Sequence, residues 1–99
     1  MTEEDYLQSV ANDSEPPEDL SGELKSLWLA HNDRWHESHD IAQDIDTQLG
    51  SWIHAHLHLI EGDLSNAAYW YRRAGKPEGV IEDREAEWRT IVGATFEGR

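Results

Sequence analysis

Ninety-nine residues carrying 21 acidic and 8 basic side chains have a formal charge of −13 and room for one domain. That charge repels phosphate backbones and anionic lipid headgroups, so neither nucleic acid nor a membrane surface is expected as a partner, while basic proteins and metal cations stay compatible with it. With no cysteine, the chain forms no disulfide, no thiolate nucleophile and no sulfur-ligated metal site, and no apolar run approaches the roughly 20 residues that a membrane-spanning helix needs.

The opening residues MTEEDYLQSV lack a basic region followed by an apolar stretch, so no secretory signal is read and a cytoplasmic location is expected. Residues 1–19 hold seven of the acids, no Lys or Arg, and the Pro16-Pro17 pair. Such a composition buries too little apolar surface to offset the entropy of ordering, which predicts a flexible acidic tail ahead of a single helical domain over residues 20–99. Within that tail Tyr6, Leu7 and Val10 are the side chains able to dock.

From Leu20 the pattern turns helical. Ser21 is an N-cap candidate, and Leu24, Leu27, Trp28 and His31 recur at helical spacing. Asn32-Asp33-Arg34 interrupts the run, with Asp33 placed to cap a second helix whose inner face carries Trp35, Ser38, His39, Ala42 and Ile45. A loop over 46–50 follows, and Ser51 is read as the cap of a third helix that is apolar on most sides, the mark of a central element. Gly62 ends it. Asp63 caps a fourth helix with Leu64, Ala67, Ala68, Tyr71 and Ala74 inward, and Gly75 and Pro77 stop that one. A last helix is expected from about Asp83 to Thr95. No alternating β-branched segment suggests a strand. The fold class is therefore all-α: two antiparallel helical hairpins plus a C-terminal helix.

The second hairpin resembles a tetratricopeptide unit. Gly62, Ala67, Tyr71 and Ala74 match that family's Gly, Ala, aromatic and Ala positions, whose small residues let two helices approach closely. The first hairpin matches less well, since Ser38, Ala42 and Ile45 repeat the spacing without a glycine at the turn, and the first helix of the second hairpin departs too, with His58 where the family has an aromatic. Residues 20–92 also resemble a family of small bacterial all-helical proteins that carry a run like SWIHAHLHLIEGDLSNAAYWYRRAG after a stretch like HESHDIAQDID. That resemblance implies helical boundaries and no particular activity.

All six histidines lie between residues 31 and 58. His54 and His58 are four apart on one helical face, with Glu61 three further on. An i,i+4 histidine pair can chelate one ion, and His39, on the inner face of the preceding helix, can join it; His39, His54, His58 and Glu61 (with Asp63 nearby) form the candidate set for a divalent transition metal such as zinc. The HExxH pattern is absent, since Ala55 stands at the glutamate position. The competing structural role is hydrogen bonding of His54 and His58 to Asp40, Asp44, Glu61 or backbone carbonyls. His56 is expected on another face, and His31 and His36 at the surface.

Tyr69, Trp70, Arg72 and Arg73 make up the second candidate. Trp, Tyr and Arg are enriched where protein interfaces concentrate their binding energy, so these four are read as a binding surface; packing of Trp70 near Trp88 is the alternative. The sequence thus leads to a non-catalytic interaction or scaffold module with no cofactor, which binds a protein partner or a second copy of itself. A metal-binding protein or small metalloenzyme built on the histidines is the alternative.

Overall fold

A computed structural model describes residues 1–98. The protein is all-α. Helices α1 (Glu3–Asn12), α2 (Gly22–His31), α3 (Trp35–Ala42), α4 (Gln48–Glu61), α5 (Leu64–Ala74) and α6 (Arg84–Glu97) follow in order, with a single 3-10 turn, Ile81–Asp83, ahead of the last. No strand occurs among the described residues.

Helix α4 is the axis of the molecule. Every residue from Trp52 to Leu59 is buried, because α2, α3, α5 and α6 all pack against it, α5 most extensively. A helix covered on every side must put its polar side chains into internal hydrogen bonds, and its three histidines do so. The small residues Ala67 and Ala74 and the ring of Tyr71 are the buried face that α5 turns to the core.

Local sequence explains most helix ends. Ser21 and Asp63 cap α2 and α5 as expected, accepting from the backbone N–H of Leu24 and Asn66. Gly62 ends α4 in the left-handed region, at φ +90°. Two starts differ from the sequence reading. Helix α4 begins before Ser51, with Thr47 accepting from Gly50 N–H. Helix α3 begins after Arg34 without a side-chain cap, while Asp33 takes up a positive φ of 60° in the turn instead of capping.

The N-terminal segment departs most from expectation. Instead of a flexible tail, residues 3–12 form α1, closed by a capping box between Thr2 and Asp5. Tyr6 is fully buried. Its hydroxyl donates to the Leu24 carbonyl at 2.6 Å, and its ring lies against Trp88 and Phe96 of α6. Trp28 Nε1–H donates to Ser9 Oγ at 3.2 Å. One tyrosine and one valine on a single face outweigh an acidic composition, because the acids of α1 all point outward. The domain therefore includes residues that the composition assigns to a tail.

Between α2 and α3, Ser26 and Ser38 are both fully buried and bond reciprocally: each hydroxyl donates to the other's carbonyl, at 2.9 and 2.6 Å. This fixes α3 on α2 and so determines where His39 stands.

Candidate metal centre

Three imidazoles converge where α3 crosses α4. His54 and His58 come from successive turns of α4, and His39 from α3. One ligand nitrogen from each lies within 4.8 Å of the others. His39 Nε2 and His54 Nε2 are 2.9 Å apart and share a hydrogen bond. His54 and His58 are buried, and His39 is half-buried.

Aromatic rings hold the cluster. Trp35 stacks on His39 with 4.8 Å between centroids and 12° between planes, and its Nε1–H donates to the Leu57 carbonyl at 2.7 Å. On the other side Trp70 of α5 stacks on His54 at 3.8 Å and 14°. Stacking covers the faces of an imidazole and leaves its nitrogens free, since their lone pairs lie in the ring plane. The two tryptophans can therefore lock ring orientation without blocking ligation.

Glu61 Oε1 accepts from His58 Nδ1–H at 2.6 Å. That bond places the proton on Nδ1 and leaves the Nε2 lone pair of His58 as the available donor, the same device by which carboxylates orient metal-binding histidines. The sequence reading counts Glu61 as a ligand; here its contact runs through His58. Glu61 and Asp63 do form a second, exposed grouping with His58, but Asp63 is engaged at the start of α5, accepting from Asn66 N–H and Ser65 Oγ.

Burial, then the nearness of His39 and His58, and of Arg73, push the His54 imidazole down to about 4. Burial, followed by the nearness of His58, also lowers His39. Both rings are thus neutral at pH 7, the form that ligates. Tetrahedral Zn–N bonds of about 2.0–2.1 Å put neighbouring nitrogens about 3.3 Å apart, so the closest pair must open slightly and no pair need close by more than about 1.5 Å. Three imidazoles with no fourth donor in the group make a set that leaves a coordination position for water, whose proton a bound ion would acidify.

The remaining sequence candidates separate. Trp70 meets His54, not Trp88. Tyr69 is 45% exposed, and the Arg73 guanidinium lies 5.1 Å over the Trp70 ring and 5.9 Å over that of Tyr69. Arg72 is exposed near the end of α5, apart from the cluster. Neither Asp40 nor Asp44 hydrogen-bonds to His54 or His58; His39 and Glu61 take those places. Sequence reasoning missed Trp35 and Trp70 as the walls of the site. The signal was present for Trp35, which precedes His39 by one helical turn.

The chain matches no protein-family model, no curated protein and no solved structure.

Proposed function

We propose that this is a small helical metal-binding protein in which His39, His54 and His58 hold one divalent transition ion, with zinc the ion best suited to three imidazoles. The observation that carries the reading is the convergence of three ligand nitrogens within 4.8 Å from two helices. The neutrality of His39 and His54, the carboxylate behind His58 and the strongly negative chain support it. The charge of Arg73, which helps to lower the His54 imidazole, opposes it.

Elemental analysis of untagged protein, paired with thermal melts with and without EDTA, tests the proposal. One equivalent of metal and a melting point that falls on chelation are expected. The variants His39→Ala, His54→Ala and His58→Ala should each lose the ion, whereas His36→Ala, exposed on α3, should keep it. Substoichiometric metal that survives His54→Ala sinks the reading.

An interaction module remains the second reading, on the strength of the exposed Tyr69–Arg73 pair. Trp70, which the sequence groups with them, is turned onto His54. A Tyr69→Ala, Arg73→Ala double variant that retains metal but loses self-association or partner binding would favour that role.

A further inference from the structure

His56 sits on the opposite side of α4 from the metal-ligand candidates and belongs to a different network. Its Nδ1–H donates to Glu87 Oε1 at 2.7 Å. Glu87 also accepts from the Tyr71 hydroxyl at 2.7 and 2.8 Å and from Trp52 Nε1–H at 3.4 Å. Burial pushes the Glu87 carboxyl up, but the hydrogen bonds from His56, Tyr71 and Trp52 outweigh it and hold the group below the usual carboxylate range. A carboxylate so held fixes the His56 tautomer with the proton on Nδ1 and the lone pair on Nε2.

That Nε2 has no hydrogen-bond partner among the described residues. His56 is only 3% exposed, yet no fully buried side-chain nitrogen or oxygen among the described residues lacks a hydrogen bond, so Nε2 keeps an opening. A cavity of about 390 Å³ supplies it: His56 lines the cavity and Glu87, on the other edge of the ring, does not. The volume falls at the small end of the range for ligand pockets, roughly 300–1,000 Å³.

The rest of the lining tells what would fit. Trp35 and Trp88 contribute to the wall, and both indole N–H groups are engaged with backbone carbonyls, those of Leu57 and Leu27. They therefore offer ring surface and no donor, Trp35 more than Trp88, which is 2% exposed beneath His31. His31 is engaged with Glu85 at 2.8 Å, and Arg84 donates to the Ile81 carbonyl at 3.0 Å. The uncommitted polar atom that is buried is one acceptor. Arg84 offsets one of the two acids in the lining, Asp33 and Glu85, and the net charge that remains is negative, which disfavours an anion. The complementary ligand is neutral, flat and apolar, with one hydrogen-bond donor.

We propose that this cavity between α2, α4 and α6 binds a small aromatic alcohol, its ring against Trp35 and Trp88 and its O–H donating to His56 Nε2. The proposal is independent of the metal centre, and Trp35 is the wall between the two sites.

Phenol and anisole, equal in ring and different in the donor, are the probes. Each is titrated into ¹⁵N-labelled full-length protein in EDTA, so that the outcome does not depend on bound metal. Phenol should shift the indole N–H signals of Trp35 and Trp88 and the His56 Nε2 resonance, and should bind at least tenfold more tightly than anisole. His56→Phe should bring phenol down to the affinity of anisole. Ala30→Leu, which fills the cavity and leaves His56 and Glu87 untouched, should abolish binding of both. Equal affinities, shifts confined to other tryptophans, no binding of phenol at millimolar concentration, or unchanged binding in folded Ala30→Leu protein would each overturn the proposal.

Discussion

His39 and His54 meet nitrogen to nitrogen, Nε2 to Nε2 at 2.9 Å. One ring must donate and the other accept, so the pair holds a single proton between the two atoms. Protonating both would set two N–H groups against each other in a buried place, which adds to the burial that keeps the rings neutral. For an ion to enter, the donor ring must move its proton to Nδ1, and both lone pairs then face the metal.

Stability should depend on pH through these rings. The folded pKa of His54 is about 4 and that of His39 is lowered, against about 6.5 in an unfolded chain. Between those values the unfolded state binds more protons, so stability rises with pH across that window and is lost as pH falls from about 6.5 toward 4. Urea melts at pH 7 and pH 5 should show the loss, and a His39→Asn, His54→Asn protein should show a shallower one. An NMR titration of His54 with a midpoint above 6 would contradict the assignment.

Glu61 should act through His58 and not as a ligand. Glu61→Gln keeps a hydrogen-bond acceptor on the His58 side but removes the charge. Metal affinity should fall by about 10–100-fold, the usual effect of losing a carboxylate behind a ligating histidine, while stoichiometry stays at one. Competition with a chromophoric chelator measures it. Complete loss of binding would return Glu61 to the ligand set.

Trp70 covers the outer face of His54. Trp70→Ala removes a half-buried indole in close stacking contact, at a cost of about 1–3 kcal/mol, less than the 3–5 kcal/mol of a fully buried tryptophan. It also exposes His54, so the His54 midpoint should move up toward 6. Denaturant melts and the same NMR titration read both effects, and a stability loss without a pKa change would mean that the indole does not keep water from the ring.

Gly50 lies in the first turn of α4, where a Cβ would run into the carbonyl oxygen and side chain of Ile45. Gly50→Ala should therefore destabilise, by about 1–3 kcal/mol, although alanine is the better helix former. Equal or raised stability in urea would show that the 43–47 segment moves away at little cost.

The all-α class, the caps Ser21 and Asp63, and the ends at Gly62 and Gly75 were legible in the residues because each rests on chemistry within a few positions. So was the shared face of His54 and His58, a matter of helical period. Three things were not. The seating of α1 depends on Tyr6 meeting residues 18 to 90 positions away, which an acidic composition conceals. The start of α4 at Gln48 rests on the hydroxyl of Thr47 accepting from Gly50 N–H, where Ser51 offers an equally good local signal. The pairing of His56 with Glu87 joins residues 31 positions apart on two helices, and no spacing rule announces it.

The contact of Tyr6 with Trp88 and Phe96 also has a consequence for order in time. During synthesis α1 leaves the ribosome before any of the surface it rests on in α6 exists. Its hydrophobic face must wait, and closing a loop of this length is among the slower steps in forming a small domain. The acidic residues that flank Tyr6 keep the waiting segment hydrated and charged. The same acids that make the segment read as a tail thus suit it to remain one until α6 arrives.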